Sequence, residues 1–259
     1  LMVFQRNGPN QELVELDANS GEYGTVHASP RIVTATAALA VSGEWLYVLD
    51  GFGSFRYLVR VNPADGTATV IGQVAPPLIA PFLFSNPATG ELLAYAYSTS
   101  TDLRPDLYRI DLQTAQPTLV TADITGFSGS VSALTIDNAG VGWFVVNPRS
   151  LYRLDLVTGQ AVFHGQLSGL PASGAVYALA ASASGMIYAD FVASGINTWN
   201  GFYAFNPVTV AATKISSATP PTLAFMRGLE ETTYCTAKTN SLGCVPTIGG
   251  HGYASVSAN

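Results

Sequence analysis

The sequence predicts an all-β fold, a five-bladed β-propeller of four-stranded blades, on the strength of a repeated phrase and of two matching chain ends. The phrase is an alternating apolar strand that closes on Asp or Asn, and it occurs five times: Leu13-Val-Glu-Leu-Asp17, Leu58-Val-Arg-Val-Asn62, Leu107-Tyr-Arg-Ile-Asp111, Leu151-Tyr-Arg-Leu-Asp155 and Phe202-Tyr-Ala-Phe-Asn206. The closing residues are spaced by 45, 49, 44 and 51 positions, the length of one blade. The chain also begins in a second strand, Leu1 to Phe4, and the inner strand missing there recurs near the far end as Leu223-Ala-Phe-Met226. The first blade is therefore expected to be completed by a C-terminal strand around 222–229, which leaves no open seam.

Within each repeat the elements follow in a fixed order. An inner strand of small or apolar residues comes first: Ala38-Leu-Ala40, Phe82-Leu-Phe84, Ala133-Leu-Thr135, Ala178-Leu-Ala180. A Gly- or Asn-containing turn leads to a more apolar second strand: Trp45-Leu-Tyr-Val48, Leu92-Leu-Ala-Tyr95, Trp143-Phe-Val-Val146, Met186-Ile-Tyr188. The phrase itself is the third strand, alternating as a half-buried strand must. Its terminal Asp or Asn opens a hairpin turn, often with Gly three or four residues on, because the side chain bonds nearby amides and Gly takes positive φ. The outer strand follows, as in Ala68-Thr-Val-Ile71 and Gln160-Ala-Val-Phe163. Residues 1–231 are read as the propeller and 232–259 as a C-terminal tail or linker to a further module.

Composition excludes whole classes of function. Hydrophobic residues make up 48% and charged residues only 11%, which rules out a disordered chain. A net charge of -6 with Lys214 and Lys238 as the only lysines offers no basic patch, so no nucleic-acid partner is expected. No apolar stretch is long enough to span a bilayer. The opening Leu1-Met-Val-Phe4 reads as a strand in progress and not as a leader.

Function on such a scaffold is expected on the face carrying the longer loops, between second and third strands and between blades. The candidate ligand-binding residues there are Phe52, Phe55, Arg56, Arg104, Arg149, Trp199 and Asn200, flat rings beside planar hydrogen-bonding groups of the kind that sugars and peptide anchors meet. No catalytic residue is assigned. Inner strands carry no Asp or Glu, and Asp50, Asp123 and Asp190 are the carboxylates near the loop face that could converge for glycoside chemistry. His27 and His164 end outer strands of blades that are not neighbours, so neither a metal site nor a catalytic triad is expected. Asp17-Ala-Asn19 and Asp137-Asn138 offer oxygen ligands but lack the dense set of a calcium loop, and no cofactor is expected. Cys235 and Cys244 are expected to form a disulfide, which suits an oxidising compartment.

The Leu-Tyr-Arg-Leu-Asp-Leu-x-Thr-Gly phrase resembles repeats of secreted bacterial β-propeller proteins over residues 1 to about 230. The stretch Tyr234-Cys-Thr-Ala-Lys-Thr-Asn-Ser-Leu-Gly-Cys244 is similar to linkers that open a C-terminal β-sandwich module in large secreted bacterial proteins. The resemblance implies a fold and a location, secreted or at the cell surface, within a larger protein or assembly. The expected function is a non-catalytic extracellular module presenting one loop face to a glycan or protein. The alternatives are a polysaccharide hydrolase or lyase using loop carboxylates, and a structural subunit of a surface layer or filament.

Overall fold

A computed structural model describes residues 2–7, 10–16, 23–29, 39–52, 55–99, 104–146, 148–182, 184–193, 201–216 and 227–230. Its strands form five separate four-stranded antiparallel sheets. Blade I is β20-β1-β2-β3, made of β1 (Met2–Asn7), β2 (Asn10–Leu16), β3 (Tyr23–Ser29) and β20 (Arg227–Glu230). Blade II runs β4 (Leu39–Ser42), β5 (Trp45–Phe52), β6 (Phe55–Val61) and β7 (Ala68–Gln73). Blade III runs β8 (Ile79–Asn86), β9 (Glu91–Tyr97), β10 (Asp106–Ile110) and β11 (Pro117–Thr121). Blade IV runs β12 (Val131–Ile136), β13 (Gly142–Val146), β14 (Ser150–Leu154) and β15 (Ala161–Gln166). Blade V runs β16 (Ala175–Ala181), β17 (Ile187–Val192), β18 (Gly201–Asn206) and β19 (Ala211–Ser216). The chain is thus an all-β propeller with four-stranded blades. Blades II to V are built from consecutive strands and described through their side chains, whereas blade I is described by its backbone pairing.

Inner strands abut in the order β4, β8, β12, β16 and β20, and β20 also lies beside β4. The strand that pairs with β1 is Arg227–Glu230, overlapping the end of the 222–229 stretch expected from the sequence; Leu223–Met226 lies outside the described residues. This inner strand ends in an acidic residue, Glu230, against the expectation that inner strands carry none.

Apolar alternation makes each blade sticky on both faces. In blade IV, Leu134, Phe144, Val146 and Leu154 pack with Phe84, Leu93, Tyr95 and Leu107 of blade III. On the other face Ala133, Trp143, Val145 and Leu151 pack with Leu179, Ile187, Ala189 and Phe191 of blade V. Blade II joins blade III through Leu49 and Leu58 against Leu83 and Ala94. Phe144 is fully buried, stacked on Tyr152 at 5.3 Å and met edge-on by Phe127; burying one such ring contributes about 2–3 kcal/mol.

The Asp/Asn of the phrase does the turn work expected of it. Asp155 Oδ1 accepts from the amides of Val157 and Thr158 at 2.8 and 3.0 Å, and Asp111 Oδ1 does the same for Gln113 and Thr114 at 2.9 and 2.7 Å. Asn62 and Asn206 accept from Ala64 and Val208 through their amide oxygens. The equivalent turn after Asp17 lies outside the described residues. Each turn ends in the left-handed region, at Gly66 and Gly159 but also at Ala115 (φ 62) and Val210 (φ 50).

Blades are also stitched by backbone. Thr125 pairs in parallel with Gln160, its amide donating to Gly159 O at 3.0 Å and its carbonyl accepting from Ala161 N at 2.8 Å. One blade on, Ser168 makes the same two bonds to Val210 O and Ala212 N, both at 2.9 Å. Each bridging residue precedes a glycine, and a Cβ on Gly126 would fall 2.0 Å from Ala161 O, one on Gly169 2.3 Å from Ala212 O. Only glycine permits this approach.

Two predictions test these joints. Gly126→Ala should cost about 2–4 kcal/mol, read as a lowered urea midpoint, because it combines a positive-φ penalty with a backbone clash. Backbone hydrogen bonds hold the Asp155 carboxyl below the usual carboxylate range. Its contribution is therefore present above the unfolded pKa and lost as pH falls through the lower folded value. Asp155→Asn, the residue type used at Asn62 and Asn206, should keep the neutral-pH melting temperature and blunt the loss in acid, while Asp155→Ala should lower it at neutral pH.

Candidate functional site

The two ends of the molecule are built differently. Short turns at one end are held by the Asp and Asn caps, and Asp137 completes that pattern between β12 and β13. Its Oδ1 accepts from Ala139 N and Val141 N, and its Oδ2 from Trp143 Nε1 at 2.8 Å. Asp137 is thereby committed to a turn and to the buried Trp143. A shallow groove of about 500 Å³ lies at this turn end, lined by Gly140, Val141, Arg153, Asp155, Thr158 and Gln160. The groove exists because two adjacent Asp-capped turns stand apart, and its carboxylate, Asp155, is engaged by backbone amides.

At the opposite end, the β5–β6 hairpin projects from blade II with Phe52 opposite Phe55, Gly51 opposite Arg56 and Asp50 opposite Tyr57. Phe55 is 67% exposed and Tyr57 39%. The two share one face of β6 by strand alternation, and Arg56 belongs to the other with Leu58 and Arg60. Arg56 is half-buried; its Nε is shut off from solvent with no hydrogen-bond partner among the described residues, and burial lowers its pKa. A guanidinium remains charged through such a shift, so Arg56 keeps its positive charge at the hairpin. Arg60, one turn of the pleat inward, instead lies over the Trp45 ring at 4.2 Å, which fixes Trp45 as packing. The Phe52 side chain lies outside the described residues.

The remaining candidates separate. Arg104 is exposed, just before Pro105, whose carbonyl accepts from Ile124 N at 2.8 Å. Arg149 is tied down: its Nη1 donates to Leu170 O at 3.2 Å and its own carbonyl accepts from Leu167 N at 2.9 Å, so it braces the connection from blade IV to blade V. Trp199, Asn200, Cys235 and Cys244 lie outside the described residues. His164 is no bare strand end, because its Nε2 donates to Pro207 O at 2.7 Å and its ring meets Trp143 edge-on at 4.9 Å.

The three carboxylates considered for catalysis occupy three blades. Asp50 is on β5, and Asp123 follows β11 with φ 54, its amide donating to Asp106 Oδ1 at 2.9 Å. Asp190 is on β17, 4% exposed, and burial pushes its pKa up to about 7. No neighbouring charge contributes to that shift, so among the described residues Asp190 has no partner carboxylate. Nor do the described residues contain any group of three or more His, Cys, Asp or Glu placed to hold a metal. Tyr57, exposed on the same face of β6 as Phe55, was missed by sequence reasoning because it lies between the loop read as Asp50–Arg56 and the phrase that opens at Leu58.

No helix among the described residues is long and apolar enough to cross a membrane. Comparison with protein-family models finds no match, and comparison with curated proteins finds none. Solved structures do match. A chain of the nidogen/laminin complex superposes with a TM-score of 0.52 at 16% identity, over 80% of this chain and 73% of its own. A protein assigned as TolB from Agrobacterium tumefaciens superposes with a TM-score of 0.51 at 11% identity, over 81% and 75%. At these identities the likeness is one of fold, and the fold is the β-propeller.

Proposed function

We propose that the chain is a non-catalytic propeller module that binds a protein partner through the loop end of blade II. The observation that carries the reading is the hairpin surface: Phe55 at 67% exposure and Tyr57 on the same face of β6, with the half-buried Arg56 between them in the strand. Exposed aromatic side chains next to an arginine are what concentrated protein–protein contacts are made of. The partner complementary to this surface presents an apolar side chain next to a carboxylate. The likeness to a chain of the nidogen/laminin complex supports the reading, since that propeller is seen with a protein partner.

The reading includes a closed five-bladed ring, supported by the five sheets and by β20 standing beside both β16 and β4. It also places the module outside the cytoplasm within a larger protein. A catalytic role finds no support in Asp190, which is nearly sealed from solvent and, among the residues whose side chains are described, has no second carboxylate of the kind glycoside cleavage needs.

The test is a binding screen of the purified chain against arrays of extracellular-matrix proteins and of glycans, repeated with Phe55→Ala and with Arg56→Ala. A protein ligand bound by the wild type should bind about tenfold or more weakly to Phe55→Ala, with an unchanged melting temperature. Glycan binding that survives both substitutions, or protein binding indifferent to them, would refute the assignment of this surface.

A further inference from the structure

The register aligns one position across four blades. Leu49 pairs with Leu58, Tyr95 with Leu107, Val145 with Leu151 and Asp190 with Phe202, where Leu58, Leu107, Leu151 and Phe202 each open the repeated phrase. In blades II, III and IV this residue faces the following blade and belongs to the shared core, as Leu49, Tyr95 and Val145 do. In blade V the same place is Asp190. The opposite face of blade V, with Ile187, Ala189 and Phe191, already packs on blade IV. Strand alternation therefore turns Asp190 toward blade I, whose strand β20 lies against both β16 and β17. A carboxyl replaces an apolar residue at the one junction where the two ends of the chain meet.

Burial gives the carboxyl a defined direction of effect. Asp190 is 4% exposed and stands in the ladder between Ala178 and Phe202. The titratable residues on the strands that adjoin it are Tyr177 on β16, Tyr203 on β18, and Arg227 and Glu230 on β20, with Tyr188 on β17 itself. The Tyr188 ring stacks on Phe202 at 5.4 Å, while Tyr203 lies with Phe191 in the core of the opposite face. Burial is the sole cause of the upward shift, to about 7 from 3.8. A carboxyl whose folded pKa exceeds its unfolded one binds more protons when folded, so stability falls as pH rises between the two values.

We propose that Asp190 makes the junction of blade V with the split blade I a pH-dependent latch, clasped when the carboxyl is protonated and loosened when it ionises. The covalent continuity of blades II to V confines the effect to this seam, where β20 and β1 come together only by pairing.

The full chain should be unfolded in urea at pH 5 and pH 8, alongside Asp190→Asn and Asp190→Leu, the second being the residue type found at the equivalent Leu49. The wild-type folding equilibrium constant should fall on the order of a hundredfold from pH 5 to pH 8, and both variants should lose that slope. Hydrogen exchange, corrected for the intrinsic pH dependence, should show β1, β17 and β20 losing protection at pH 8 while β12 to β14 keep theirs. Wild-type stability that is flat or rises with pH would overturn the proposal; a rise would mean that a cation such as Arg227 pairs with the carboxylate. An unchanged slope in both variants, or loss of protection spread evenly over the blades, would overturn it equally.

Discussion

Every blade whose side chains can be followed to a neighbour on each side is apolar on both faces, and that double burial governs the rest of the molecule. Val145 and Phe144 are adjacent in the chain, yet one packs toward blade V and the other toward blade III. A sheet of this kind left with one neighbour would expose a whole face of Val, Leu and Phe, so the architecture has no natural stopping point short of closing on itself. Hydrogen bonds cannot substitute, because the edges between blades are joined by only a few of them, such as those of Thr125 and Ser168. Burial supplies the adhesion, and the bonds set the spacing and twist at which the sheets meet.

The repeat was legible because turn chemistry is local. Asp111 and Asp155 bond amides two and three residues ahead, so the residue type at that place is dictated within a few positions of the chain and recurs wherever the turn does. The left-handed residue that closes the turn was less legible. Gly159 announces it, but Ala115 and Val210 take the same conformation without glycine. Val210 is held there by its neighbours: its amide donates to Asn206 O at 2.9 Å and its side chain covers Gly165. Where packing overrides local preference, the residue name stops reporting the backbone. The closing strand was legible to within its last residue: the sequence points to about 222–229, and the pairing of β1 with Arg227–Glu230 extends it to Glu230.

Site residues were legible as types and less so as roles. Arg56 and Arg149 look alike in sequence, each an arginine beside a turn or hairpin. Arg149 finds a carbonyl one connection away in Leu170 O, whereas the Arg56 Nε finds none. That difference depends on which carbonyl of a distant segment comes within reach, which no short window of sequence encodes. Tyr57 illustrates the converse, since the alternation that marks a half-buried strand does not say which end of the strand outruns its neighbours.

Asp190 joins these two themes. Its neighbours in the sequence, Tyr188-Ala189-Asp190-Phe191, read as a second strand running up to a loop, so a carboxylate there looks like a loop residue available to substrate. Counting from the repeated phrase, and not from the loop, puts it at the level of Leu49, Tyr95 and Val145, inside the interblade packing. A charged type at such a position costs more than any turn substitution unless it is neutral or paired, which is why the same residue in three other blades is apolar or uncharged. The exception falls at the seam, where the fold's main requirement, burial on both faces, is met by two segments from opposite ends of the chain. Blades II to V are each built from consecutive strands, so an ionisable group at this junction sits where the packing depends on strands from both ends of the chain, β1 and β20.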